Sequence, residues 1–166
     1  MKKLTLLICV LAMLLGLAGG ASADAPIRDT IKVSGWLTAE PTVTPIGPNR
    51  ILIEDMQAKG TVTSSNLFKG ADFFIDDEDA IINLRALRGR NWGQITIDTV
   101  AGKVHIEFHG QTFDLDEITL SGSVAGQFRV VGATGDFEGL RGQGRYSGTA
   151  AFLFTLTFTG QFHIEE

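Results

Sequence analysis

Gly132-Ala133-Thr134-Gly135-Asp136-Phe137-Glu138-Gly139-Leu140-Arg141-Gly142-Gln143-Gly144-Arg145-Tyr146-Ser147-Gly148 sets six glycines in 17 residues and leads into a long alternating segment. Glycine at such close spacing points to backbone corners with positive φ, where a Cβ would clash. Gly135, Gly139, Gly142 and Gly144 are the expected holders of that conformation, because they flank the Phe137 corner and the return strand. Phe137 and Tyr146 are the candidate plugs of a small core. In the segment that follows, Phe152, Phe154, Leu156, Phe158, Phe162 and Ile164 share one face, while Thr155, Thr157, Thr159, Gln161 and His163 share the other. That period of two marks a strand with one buried face. Gly160 falls on the apolar face, where a missing side chain permits close backbone contact.

The same alternation recurs upstream. Ile31, Val33, Gly35 and Leu37 alternate with polar neighbours, as do Ile95 and Ile97, and then Val104, Ile106 and Phe108. Val100-Ala101-Gly102 joins the last two runs as a hairpin loop. Further strands are expected at Arg50–Met56, Gly60–Ser65, Ala71–Ile75, Ala80–Leu84, Glu117–Ser123 and Gln127–Gly132, with the proline-rich stretch Glu40–Pro48 as a long loop. Strands at a spacing of roughly 8–12 residues, with turn signals between them, predict an all-β domain. A small closed antiparallel barrel of about eight strands, calycin-like in form, is favoured, because closure removes the exposed edges.

The N-terminus reads as an export signal. Lys2 and Lys3 precede the apolar run Leu4–Leu17, and Ala21-Ser22-Ala23 supplies the small-residue cleavage site. Residues 1–23 are therefore expected to be a signal peptide and residues 24–166 a single β-barrel domain, extracellular or periplasmic. The apolar run is too short for a comfortable membrane span. Cys9 lies inside the run and not after it, which rules out a lipidation reading. It leaves with the leader, so disulfides, thiolate catalysis and cysteine–zinc sites are excluded from the mature chain. Of 14 basic residues, Lys2 and Lys3 leave too, so 12 face 19 acidic residues and the net charge falls from −5 to −7. That balance opposes nucleic-acid partners, which require clustered positive charge.

On Val130-Val131-Gly132-Ala133-Thr134-Gly135, the aromatic Phe137 and the return Gly139-Leu140-Arg141-Gly142-Gln143-Gly144, the chain resembles the allene oxide cyclase and dirigent-type β-barrel superfamily and its bacterial secreted relatives. Ala133 stands where that pattern has a second glycine. The likeness extends from Gln127 to the C-terminus, with Trp92-Gly93 fitting loosely. It implies an eight-stranded antiparallel barrel around a central, often apolar, cavity. It carries no activity over, because no residue here aligns with the polar cavity residues those proteins use. Gly132, Thr134, Gly135, Phe137, Gly139, Gly142 and Gly144 are read as a structural motif.

Three polar constellations stand out. His105, Glu107 and His109 share one side of a strand and form a weak metal-ligand candidate. The two histidines stand roughly 13 Å apart along it, near the limit for one ion, so a solvated outer face is favoured. Asp76-Asp77-Glu78-Asp79 lacks the spacing of a calcium loop and is expected to be a solvated hairpin tip. Arg85, Arg88 and Arg90 are expected to join a surface ion-pair network, with an anionic ligand as the other reading. Nucleophilic catalysis has no motif, and no catalytic residue or cofactor is assigned. Inward positions read as apolar throughout. The favoured function is a non-catalytic binding or interaction module with an apolar cavity, whose partner is a small apolar ligand. A cavity enzyme of the cyclase, isomerase or dirigent kind is the first alternative and a small outer-membrane barrel the second. Oligomeric state is left open.

Overall fold

A computed structural model describes residues 25–116, 118, 119 and 121–165. The signal-peptide expectation falls on residues 1–23, outside the described residues. The chain forms strands β1 (Ile27–Leu37), β2 (Thr42–Gly47), β3 (Arg50–Ser64), β4 (Asp72–Asn83), β5 (Arg88–Thr99), β6 (Gly102–Phe113), β7 (Gly122–Ala133), β8 (Leu140–Ala150) and β9 (Leu153–Ile164). Each strand from β3 to β8 pairs antiparallel with its successor, and β1 closes the ring by pairing β9 on one edge and β3 on the other. The result is the closed eight-stranded barrel that the alternation predicts, with β2 as an extra strand.

β2 corrects the expected long loop at Glu40–Pro48. Thr42 pairs Glu54 on the same edge of β3 whose Ala58 pairs Leu37 of β1, so β2 continues β1 after a break at Thr38–Pro41. Its outer edge carries no further strand among the described residues, and an edge position tolerates Pro45, which has no N–H to donate. Two further corrections concern strand length. The separate expectations at Arg50–Met56 and Gly60–Ser65 are one strand, β3, and those at Ala71–Ile75 and Ala80–Leu84 are one strand, β4. The expected strand at Glu117–Ser123 instead begins at Gly122. Before it, the Asp116 carboxylate accepts the backbone N–H groups of Ile118 and Thr119 and holds a turn.

The main core lies toward one end of the barrel. Phe68, in the β3–β4 connection, is 1 % exposed and packs against Phe137 at 5.4 Å and Phe162 at 6.1 Å between ring centroids. Phe137 thus helps close that end, from a short 3-10 turn at Gly135–Phe137. Asp29 locks the same end. Its inward carboxylate accepts the Ser65 hydroxyl and the N–H groups of Thr30, Asn66 and Leu67. Burial opposes its charge, but those donors outweigh burial and hold the Asp29 carboxyl below its ordinary range.

The glycine motif divides into two roles. Gly135 (φ 65°) and Gly139 (φ 80°) hold the positive φ expected of them, on either side of the 3-10 turn. Gly142 and Gly144 do not, which corrects that part of the expectation. They sit on the inward face of β8, where a Cβ at Gly142 would run into the Phe162 ring and one at Gly144 into the Thr159 carbonyl oxygen. Their missing side chains make room for Phe162 and Phe128, which stack at 6.1 Å. Gly160 plays the same part opposite Gly144, as the alternation predicts. Thr134 accepts the Lys103 N–H through its hydroxyl, which ties the turn to β6, and Gly132 pairs with His105.

Candidate functional site

The acidic run Asp76–Asp79 lies inside β4 and not at a hairpin tip, and that placement creates the site. Phe73 and Ile75 point inward, then a register shift between Ile75 and Asp77 inverts the alternation, so that Glu78, Ala80 and Ile82 point inward instead. A matching irregularity in β3, between Ile53 and Ala58, includes Asp55 at φ 59°. An extra residue in one strand of a pair does this, because it changes which residues fall on each face. Here it turns one carboxylate of the acidic run into the barrel.

Glu78 Oε1 accepts a hydrogen bond from Asn91 Nδ2 at 2.9 Å, and Asn91 Oδ1 accepts one from the Tyr146 hydroxyl at 3.3 Å. Three strands, β4, β5 and β8, therefore meet in one polar chain across the interior. Asn91 is 3 % and Tyr146 4 % exposed. Gly110, on β6, leaves space for the phenol, since a Cβ there would overlap the Tyr146 oxygen. Phe108 and Phe158 pack on the Tyr146 ring at 5.6 and 5.7 Å and hold it in place.

Burial pushes the Glu78 carboxyl up to about 7; the Asn91 hydrogen bond opposes that rise and the Asp79 charge adds to it. Burial also raises the Tyr146 phenol well above its ordinary value, so it stays protonated as a hydrogen-bond donor. Glu78 Oε2 makes no hydrogen bond among the described residues. Glu78 lines a cavity of the barrel.

That cavity has a volume of about 290 Å³ and separates two apolar clusters. Ile75, Ile95, Phe154 and Leu156 of the main core form one wall. Ile53, Ala80, Ile82 and Leu115 of a smaller cluster form the other. Glu78, Asn91, Tyr146, Thr112, Thr119 and Thr149 are its polar members, and no Lys, Arg or His lines it among the described residues. The mouth lies at the end opposite Phe68. It is bordered by Leu37, Pro41 and Val43 where β1 breaks, and by Ala150, Ala151 and Phe152 between β8 and β9. Val43 and Phe152 line the cavity while staying 48 % and 68 % exposed, so the entrance has an apolar rim.

No family model matches this chain, and no curated protein matches it.

The other expected groups lie on the outer surface. His105 hydrogen-bonds Thr96 through Nδ1 at 3.1 Å, Glu107 pairs with Arg129 at 2.6 Å, and His109 is exposed. Val104, Ile106 and Phe108 point inward between them, as the alternation predicts. Among the described residues no three His, Cys, Asp or Glu side chains gather as a metal-binding group. Arg88 and Arg90 pair across the sheet with Asn83 and Ile81, just beyond the acidic run, and Arg85 sits in the turn between β4 and β5. None of the three makes an ion pair among the described residues, in place of the expected network.

The expectation of wholly apolar inward positions is corrected by Asp29, Glu78, Asn91 and Thr112. Asn91 was legible, since it alternates in phase with Ile95 and Ile97. Glu78 was not, because its inward turn depends on a bulge that no local signal marks.

Proposed function

We propose that this protein is an exported binding barrel that takes a small apolar molecule into the open end of its cavity. The observation that carries the reading is a largely apolar cavity, open at one end of the barrel, with a polar floor and an exposed apolar rim. Apolar cavities of roughly 150 Å³ accept benzene, so about 290 Å³ suits a bicyclic or short-chain ligand of about twice that size. An apolar lining supplies affinity and a few placed polar groups supply orientation. The glycine motif, the barrel and the cavity are all consistent with membership of the allene oxide cyclase and dirigent-type superfamily, which we put forward on those grounds.

A cavity enzyme is the second reading, and Glu78 favours it. A carboxyl raised to about 7 inside a cavity is poised for general acid or base work near neutral pH. The outer-membrane reading has less support. The outward residues at the middle of β5–β9 include Gln94, Glu107, Arg129, Gln143, Arg145 and Gln161, whereas a membrane barrel presents an apolar band outward.

Calorimetric titration with naphthalene tests the binding reading. Saturable one-to-one binding is expected in the wild type. It should be lost in Ala150→Trp, which places an indole in the mouth, with the barrel still folded by circular dichroism. Equal binding by both proteins would place the ligand elsewhere and sink the reading.

A further inference from the structure

The polar floor has a chemistry of its own, beyond accepting an apolar body. Glu78 Oε1 is occupied by the Asn91 amide, which leaves Oε2 with no hydrogen bond among the described residues, on a side chain that lines the cavity. A carboxyl whose other oxygen already accepts an N–H carries its proton on the free oxygen. It then offers one O–H donor to whatever enters. Asn91 is committed at both ends, to Glu78 and to Tyr146, so neither competes for that proton.

The charge pattern around the floor is one-sided. Asp79 stands next to Glu78 in β4, and Asp55 of β3 donates its N–H to the Asp79 carboxylate at 3.4 Å. From β5 comes only the Asn91 amide, from β6 Phe108 and Thr112, and from β8 the phenol of Tyr146. No cation lines the cavity among the described residues. An entering carboxylate would be desolvated without a counter-ion and would share the cavity with the Glu78 carboxyl, which is costly on both counts. A neutral carbonyl oxygen would instead meet a ready donor.

Resting on the cavity reading above, we infer that the site selects an uncharged ligand whose acceptor oxygen, as in a ketone, aldehyde or ester, docks on the Glu78 carboxyl, and that it rejects carboxylates. A dependence on pH follows. The donor is present while Glu78 holds its proton and is lost as pH rises through about 7. Above that pH, Oε2 can only accept, and a carbonyl oxygen loses its partner.

The probes are 2-octanone, octanoate and naphthalene, titrated into the full mature chain from about pH 5.5 to about pH 8.5. The expected result at the acidic end is that 2-octanone binds at least about tenfold tighter than octanoate, the worth of one buried hydrogen bond and an avoided charge. Its affinity should fall by about tenfold toward the alkaline end, while that of naphthalene stays flat. Glu78→Gln keeps an N–H donor and removes the titration, so its affinity for 2-octanone should no longer vary with pH. If naphthalene binds but 2-octanone shows neither preference over octanoate nor pH dependence, the head-group inference is overturned and the apolar cavity stands. If the pH dependence persists in Glu78→Gln, Glu78 is not the donor and the inference also fails. If none of the three binds, the cavity reading fails and takes this inference with it.

Discussion

Glu78→Gln should make this protein more stable at alkaline pH, although it removes a charged residue from a strand. The physical basis is linkage between folding and protonation. In the unfolded chain a glutamate titrates near 4.5, and in the barrel burial raises Glu78 to about 7. Below the lower value both states hold the proton and Glu78 imposes no penalty. Between the two values the folded state keeps a proton that the unfolded state has released, so stability falls as pH rises. Above about 7 the penalty is complete, because folding must then bury a carboxylate. At about 1.4 kcal/mol per unit, a shift of this size corresponds to about 3 kcal/mol, as an order of magnitude. Glutamine has nearly the same shape, its side-chain oxygen can still accept from Asn91 Nδ2, and it does not titrate in this range. The assay is urea unfolding followed by tryptophan fluorescence, with wild type and variant measured at about one-unit pH steps from 4 to 9. Other acids titrate alike in both proteins and cancel in the difference. The two curves should meet near pH 4 and separate progressively, with the variant ahead by about 3 kcal/mol at pH 8 or above. Parallel curves across the whole range would refute the claim that Glu78 is buried in the fold.

The remaining outcomes follow from the other end of the barrel and from its walls. Asp29→Ala should cost about 1–3 kcal/mol, because it removes the acceptor shared by the Ser65 hydroxyl and the N–H groups of Thr30 and Asn66 beside Phe68; thermal unfolding checks this. Because the Asp29 carboxyl is held below its ordinary range, its contribution should persist at neutral pH and be lost as pH falls through its folded value, in the acid range. Gly144→Ala and Gly142→Ala should each cost about 1–3 kcal/mol through overpacking against β9, and near-wild-type melting temperatures would contradict the packing role given to them. Phe108→Ala should lose about 3–5 kcal/mol by leaving a cavity, whereas His109→Ala, on the exposed face, should stay within about 0.5 kcal/mol.

Where the alternation was unbroken, fold and residue orientation were both readable. The faces of β6 and β9 follow from their side chains alone, and Gly160 fell on the inward face where Phe128 needs space. Reading failed at the irregularities. Four acidic residues in a row resemble a solvated turn, because charge composition carries no information about a bulge within the run itself. Once β3 and β4 pair with their register shifted, the side-chain parity changes and Glu78 enters the barrel. Gly142 and Gly144 misled in a related way. A glycine looks the same in sequence whether it serves a positive φ or a close approach, and only the Phe162 ring and the Thr159 carbonyl distinguish them. Pro45 concealed β2, since an edge strand tolerates what an inner strand does not.

Methyl-resolved NMR on the isoleucine- and methionine-labelled protein during a naphthalene titration tests the central claim most directly. Ile53, Met56, Ile75, Ile82 and Ile95 line the cavity, while Ile31 and Ile106 are buried in the main core outside its lining. A ligand in the open end should shift the first group, with intermolecular contacts to their methyls, and leave Ile31 and Ile106 close to their free positions. Shifts confined to exposed methyls such as Ile118, or absent altogether at saturating naphthalene, would contradict it.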